Sequence, residues 1–472
     1  MAMGWHGLSG RGSRVAVVGT GVTGLETARV LLSLGTEVTL YDTREESAIP
    51  EDALRRARSM GCTVRLGTHD GLGDHAVVVT SPGVPIESPY FGPARERGVE
   101  VISEIEAAFR LWPGIAVIGV TGTNGKSTTT ALTGEMLAQT GVPVRVCGNI
   151  GAPLIGVVAD VPEAARDQTW FVAEVSSFQL EATEWFRPRA AALLNITDDH
   201  RDRHPTVQSY VSAKARLFQR QTPADVAVLN AADEACRSVL PRLRSRVWWF
   251  STDGPVTDGA YVADGCVVHA VGGAVTELCR VDGIRLVGRH NLENVLAASA
   301  LSMAAGATAE GVQRALRVFE PAPHTFRRVG SAGGVVLIND SKGTNVGATV
   351  RGLEGLDGPA VLIAGGSSKG ADYAPLGECL ARRARALVVL GATAHEIADA
   401  ARRAGLKCIR EAQSMDEAVR VGFALARPGD YLILSPACAS FDLFENYKAR
   451  GVAFERAAAE LPGFEPAGAG NE

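Results

Sequence analysis

Short apolar runs, separated by glycine-rich or polar turns, set the rhythm of the chain. The runs at 14–18, 36–41 and 75–80 are rich in valine and too short for helices. They fit buried parallel strands. The stretch 23–34 predicts a helix between the first two. Strand, turn and helix in that order predict a doubly wound α/β unit. The rhythm restarts at 115–120 and continues through 170–174, 190–195 and 226–230, with helices expected at 129–139 and 210–219. From about 247 to 289 the helical period fades. β-like runs with glycine turns replace it, and these read as a small antiparallel sheet appended to the middle unit. A third set of strands is expected at 335–339, 360–364, 386–390 and 431–435. Pro321 and Pro323 mark a boundary linker, and 466–472 reads as a frayed tail.

A chain of 472 residues holds about three domains. The boundaries read as 1–104, 105–321 and 322–472. The first and third are Rossmann-like, and the second is a P-loop-type ATPase domain. A net charge of -5 argues against a nucleic-acid binder with a broad basic surface, but leaves room for a local pocket for small anions. Eight cysteines without a C-x-x-C pair suit a reduced, cytoplasmic protein rather than a disulfide scaffold. No run approaches the roughly 18 apolar residues of a membrane span, so the expectation is a soluble protein.

The chemistry concentrates first at Thr121-Gly122-Thr123-Asn124-Gly125-Lys126-Ser127-Thr128. The strict G-x-x-x-x-G-K-[ST] pattern fails by one residue, because Val120 stands at its first glycine. The mechanism survives: a strand feeds a glycine turn, Lys126 offers a point charge, and Ser127 or Thr128 can ligate Mg²⁺. The following helix points its positive end at the anion. A second motif, Gly19-Thr20-Gly21-Val22-Thr23-Gly24, is a full G-x-G-x-x-G with Asp42 at the next strand's end. Alone it fits a dinucleotide site, another nucleotide site or a structural turn. Arg44, two residues after Asp42, also suits a ligand with anionic parts.

Glu174 ends an apolar strand beside the phosphate loop, where open α/β sheets bind ligands. The run Asn195-Ile196-Thr197-Asp198-Asp199-His200-Arg201-Asp202 offers hard oxygens and one imidazole for metal. Lys214 follows on a helix, where an isolated lysine is usually a solvated one.

Taken together these motifs resemble the Mur ligase family over nearly the whole chain. The resemblance rests on Asp42-Thr43-Arg44, TGTNGKST, CGNIG, EVSSFQLE, NITDDHRDRH and GRHNLEN. NDSKGTN, GGSSKGAD and LSPACASFDLFENYKARG complete it. It implies an ATP-dependent amide ligase of peptidoglycan precursor synthesis that joins D-glutamate to UDP-N-acetylmuramoyl-L-alanine through an acyl phosphate. Relatives that add L-glutamate to the same acceptor, and an NAD-binding oxidoreductase built on the first glycine motif, remain alternatives. A folylpolyglutamate-type ligase fits poorly, since about 120 residues precede the phosphate loop. The resemblance assigns Gly19, Gly21, Thr23, Gly24, Asp42, Thr43, Arg44 and Asn149 to the UDP substrate. Gly122 to Thr128, His290, Asn291, Asn294, His324, Asp340 and Lys342 fall to ATP. Thr344, Lys369, Ser440, Phe441 and Tyr447 fall to glutamate. Lys126, Glu174, His200 and Lys214 would carry catalysis. Ser127, Glu174, His200 and Lys214 would hold two Mg²⁺ ions, with a carbamate on Lys214. Closure of the third domain would keep water from the acyl phosphate. No nucleic-acid or membrane partner is implied, and a monomer is expected. One position departs from the family: Thr325 stands where an arginine is usual, so Arg327 or Arg328 substitutes or the contact is absent.

Overall fold

The computed structural model describes residues 7–10, 12–149, 151–197, 199–201, 203–368 and 370–467. Lys369, expected at the glutamate site, lies outside the described residues, as do Asp198 and Asp202. The described residues build three sheets. The first is a five-stranded parallel sheet in the order β3-β2-β1-β4-β5. Its strands are β1 Arg14–Val18, β2 Glu37–Asp42, β3 Thr63–Leu66, β4 Val77–Thr80 and β5 Glu100–Ser103. β1 lies at the centre, and four of its five residues are buried. That explains its unbroken apolar run.

The second sheet has nine strands in the order β14-β13-β12-β11-β10-β9-β6-β8-β7. They are β6 Ala116–Thr121, β7 Val144–Gly148, β8 Trp170–Glu174, β9 Ala190–Leu193 and β10 Val226–Asn230, then β11 Arg246–Ser251, β12 Gly259–Ala263, β13 Cys266–Val271 and β14 Ala274–Arg280. β6 lies between β8 and β9, both parallel to it. The chain leaves β6 toward one side and later returns on the other, so the loop after β6 sits at the switch point where such sheets bind ligands. The expected antiparallel hairpins are β12 to β14. They continue the edge of this sheet, because β11 and β12 still pair in parallel with the strands before them.

Both sheets belong to one compact unit, residues up to Ile196 with 200–280 and 295–316. Buried polar links at the helix Glu104–Leu111 join them. Glu104 accepts from the backbone N–H of Ile155, and Glu106 accepts from those of Trp185 and Phe186. Arg29 reaches Asp160 at 3.0 Å.

The third sheet belongs to a second unit, 197–199, 281–294 and residues from Arg317 onward. Its order is β19-β18-β17-β20-β16-β15-β21. The strands are β15 Arg327–Ala332, β16 Val335–Asn339, β17 Ala360–Ala364, β18 Ala384–Val389, β19 Ile409–Glu411, β20 Tyr431–Leu434 and β21 Phe464–Pro466. Pro466, read as the start of a frayed tail, still pairs with Gly330 at the sheet edge. A proline is tolerated there because an edge strand need not donate on both sides.

Candidate active site

The first glycine turn is built by close approach. A Cβ on Gly24 would stand 1.8 Å from the carbonyl oxygen of Gly19, so only glycine lets the helix Val22–Ser33 start there. Asp42, at the end of β2, is buried and accepts from the backbone N–H and hydroxyl of Thr20. It also accepts from the backbone N–H and guanidinium of Arg44. Burial opposes its charge, but the hydrogen bonds from Arg44 and Thr20 win and hold the carboxyl well below the usual carboxylate range. Asp42 therefore organises the turn and aims Arg44, whose side chain stays half exposed. Thr43 is exposed beside them. Thr20 and Ser81 were not anticipated. The Ser81 hydroxyl is buried without a partner among the described residues and borders Gly19 and Gly24. The signal was present in Ser81-Pro82-Gly83, a polar turn at the end of β4.

The phosphate loop follows β6. Gly125 caps the helix Lys126–Thr140 at φ 84°, a left-handed conformation that glycine adopts without strain. The helix thus starts three residues before the expected 129 and brings Lys126 and Ser127 into its first turn. Asn195, after β9, clasps the loop. Its side chain accepts from Asn124 N–H at 2.9 Å and donates to the Asn124 carbonyl at 3.0 Å, and its carbonyl accepts from Thr123 N–H. Ser127 Oγ donates to Glu174 Oε2 at 2.7 Å, and Asn149 Nδ2 donates to Glu174 Oε1 at 2.9 Å. Thr128 is buried behind them. Asn149, expected on the muramoyl group, thus spends an amide N–H on positioning Glu174.

Lys126 Nζ donates to the carbonyls of Gly122 at 2.9 Å and Thr123 at 2.7 Å. Lys214 Nζ donates to the same Gly122 carbonyl at 2.9 Å and lies 4.4 Å from the centre of the Tyr210 ring. Lys214 is 1% exposed, which excludes a solvated helix lysine. Its helix, Val207–Ala215, is opened by a capping box between Thr206 and Ser209 and passes into a 3₁₀ turn at Arg216–Phe218. His200 is exposed at φ 55°. A non-glycine residue held there costs about 1–2 kcal/mol. Its ring lies edge-on to Phe178 at 4.9 Å and to Tyr210 at 6.2 Å. The first unit therefore gathers Lys126, Ser127, Asn149, Glu174 and Lys214 around one loop, with His200 and Lys214 sharing the Tyr210 ring.

The second unit carries the remaining candidates. Asn291 Nδ2 holds the Val287 carbonyl, and Asn294 Nδ2 holds Asn291 Oδ1. The His290 ring stands edge-on to Phe326 at 4.4 Å. Its buried Nδ1 lacks a hydrogen-bond partner among the described residues, and burial holds the imidazole down to about 4. His324 and Phe326 both have positive φ, at 63° and 41°, flanking Thr325. His324 Nδ1 meets Asn339 Nδ2 at 2.9 Å, and its carbonyl accepts from Lys342 N–H. Asp340 accepts from Phe326 N–H and Ser435 Oγ, while burial pushes its carboxyl up to about 7. Thr344 follows in the same turn, its N–H on the Lys342 carbonyl. Ser440 is buried, whereas Phe441 is 75% exposed, with its N–H on Ser367 Oγ. Tyr447 opens the helix Tyr447–Ala459, and its carbonyl accepts from Ser341 Oγ. The sequence did not single out Arg450, one turn further on. Its buried guanidinium donates to Ser341 and to the carbonyls of Cys438 and Ala439, which fixes the loop leading to Ser440.

Family models match three consecutive segments. A Mur ligase MurD-like N-terminal domain covers 13–103, a Mur ligase middle domain 120–302 and a Mur ligase glutamate ligase domain 326–438. The UDP-N-acetylmuramoylalanine–D-glutamate ligase of Pelotomaculum thermopropionicum is 42% identical, with 94% of this chain and 96% of that relative covered. The chain belongs to the Mur ligase family. The enzyme of the same name from Koribacter versatilis is 40% identical, with 94% of this chain and 97% of that one covered. MurF from Acinetobacter baumannii shares the fold at a TM-score of 0.57 and 16% identity, with 90% of each chain covered.

The donors of this Mur ligase fit a magnesium ion. Ser127 and Glu174 offer hard oxygens at a helix N-terminus. No group of three or more His, Cys, Asp or Glu forms a closed metal cage among the described residues. One carboxylate and one hydroxyl, completed by nucleotide phosphates and water, is how Mg²⁺ is commonly held. No helix among the described residues is long and apolar enough to cross a membrane.

Proposed function

We propose that the chain is the ATP-dependent ligase that joins D-glutamate to UDP-N-acetylmuramoyl-L-alanine. Relatives of that name at about 40% identity over almost the whole chain support the reaction. The observation that carries the site is the convergence of Lys126, Lys214 and the Ser127–Glu174 pair on the phosphate loop. The division of labour runs 1–104 for the UDP moiety, 105–321 for ATP and 322–472 for glutamate.

In this reading a carboxylate oxygen of the acceptor attacks the γ-phosphorus of ATP. The bond to the bridging oxygen breaks, leaving an acyl phosphate and ADP. The glutamate amine then attacks the acyl carbon, phosphate departs, and the amine loses a proton. Lys126 balances charge on the transferring group. Ser127 and Glu174 would hold one Mg²⁺, and His200 with a carbamylated Lys214 a second. The metal would supply charge neutralisation at the phosphoryl oxygens. Arg44, aimed by Asp42, would meet the uridine diphosphate, and Thr344, Lys369, Ser440, Phe441 and Tyr447 the glutamate. The protein would act in the cytoplasm, as a monomer, on small molecules.

Asp42 also weighs against NAD. Both its oxygens are already engaged by Thr20 and Arg44, leaving no simple acceptor for a ribose diol. Phosphate release measured with UDP-N-acetylmuramoyl-L-alanine and either enantiomer of glutamate tests the reading. Turnover is expected with D-glutamate only. Turnover with L-glutamate instead would move the chain to the L-adding relatives, and ADP release indifferent to both substrates would sink the ligase.

A further inference from the structure

His204 belongs to no site described above, yet it is placed with unusual care. It is 5% exposed, and its ring lies between two others, stacked on Phe178 at 5.8 Å and tilted against Tyr210 at 5.0 Å. Nε2 meets Ser177 Oγ at 3.0 Å, and Nδ1 lies 3.7 Å from Glu181 Oε1. Glu181 is held in turn by the Arg203 guanidinium, which also lies over Phe178 at 5.0 Å. Ser177 and Glu181 are the two ends of the short helix Ser177–Glu181, whose start is fixed by a capping box between Ser176 and Gln179. The serine, histidine and carboxylate follow each other as in a hydrolase triad. Ser177 is 3% exposed, so its hydroxyl has no access to a substrate carbonyl. The chain of contacts serves something else.

It ends on two residues of the proposed second metal site. The backbone N–H groups of Arg203 and His204 donate to the His200 carbonyl at 2.9 and 2.8 Å, closing the turn that keeps His200 in its left-handed conformation. On the other side, the Tyr210 ring that packs on His204 also faces Lys214 Nζ. His200 and Lys214 come from different segments, and His204 touches the support of both.

We propose that His204 is a positioning residue of the ligation reaction, anchored by Ser177 and Glu181 and fixing His200 and Lys214 for metal. The proposal rests on the functional reading above, because it gives those two residues their metal. A side chain that only filled the core would set stability alone. A positioning residue also sets metal affinity, since supports behind metal ligands typically change it by about 10- to 100-fold.

The test uses the full-length protein with ADP and Mn²⁺, reading bound metal by electron paramagnetic resonance. The variants are His204→Phe, which keeps a ring between Phe178 and Tyr210, and Ser177→Ala, which leaves His204 in place and serves if the first does not fold. One of two Mn²⁺ classes is expected to weaken by about 10-fold or more in each variant, while KM for the UDP substrate stays within about twofold. The double variant is expected to be no worse than His204→Phe, because both changes cut one chain of contacts. Unchanged Mn²⁺ affinity in the folded variants, against a wild type that binds two ions and turns over, overturns the role of His204 alone. A wild type with no ligase turnover overturns the functional reading, and this inference falls with it.

Discussion

Lys126 and Lys214 direct their Nζ atoms at one oxygen, the carbonyl of Gly122, each at 2.9 Å. Reaction with CO₂ requires a neutral amine, and the functional reading gives Lys214 that chemistry. Lys214→Ala is expected to lower kcat by on the order of 10²-fold or more, the scale of losing a charge-stabilising group. Formate or acetate should partly restore it by entering the vacated space, while Lys214→Arg should resist rescue. Steady-state rates with and without the acids decide this. Undiminished activity in Lys214→Ala would exclude the carbamate.

The pair Ser127 and Glu174 makes a separate prediction. Ser127→Ala is expected to raise the Mg²⁺ concentration needed for half-maximal rate by about 10- to 100-fold, and Asn149→Ala, which frees Glu174 to rotate, by less. A magnesium titration at saturating ATP measures both. An unchanged requirement in Ser127→Ala would remove its hydroxyl from the metal site.

Glu104 carries a pH prediction. Burial pushes its carboxyl up to about 7, against the hydrogen bond it accepts from Ile155 N–H. Between about pH 4.5 and 7 the folded chain keeps a proton that the unfolded chain has released, so stability falls as pH rises through that window. Glu104→Gln imitates the protonated group. The variant should melt like the wild type near pH 5 and hold on the order of 1–3 kcal/mol more stability at pH 8. Thermal unfolding between those pH values checks it, and a variant that melts lower at pH 8 contradicts it.

The sequence motifs lead to the expectation of an arginine at position 325, where threonine stands. The Thr325 hydroxyl is buried without a partner among the described residues, Arg327 is paired with Glu320 at 3.3 Å, and Arg328 is exposed on β15. Neither arginine is placed by a buried contact, so neither is expected to replace the missing one. Thr325→Arg should lower KM for ATP by about tenfold, the worth of one charged hydrogen bond. Arg327→Ala and Arg328→Ala should change it little. A large rise in KM for either alanine variant would identify the substitute.

The fold was legible wherever a strand is buried on both faces. β1, β4, β6, β8, β10 and β17 are continuous apolar runs because no side of them meets water. β3 alternates between exposed and half-buried positions at its sheet edge, so its residues lack that signal, and β7, β15 and β21 are as mixed. The same contrast holds at the site. Gly122 to Thr128 could be read as a glycine turn opening a helix because the motif is contiguous, and its lysine works on its own neighbours.

Asn195 could not be read as a clasp. It lies 71 residues from the Asn124 it holds. Arg450 reaches back 109 residues to Ser341. The sequence by itself determined the family, the strand–turn–helix rhythm and the place of the glycine loop, because these rest on local pattern and contiguous motif, whereas the hairpins read as a separate small sheet extend the nine-stranded one. Only the tertiary structure decided that Asp42 is spent on Thr20 and Arg44, that Asn149 braces Glu174, and that Lys214 is buried on the carbonyl Lys126 also uses. Those facts depend on which strand ends meet, and strand order is set by packing across the whole sheet rather than by any one segment.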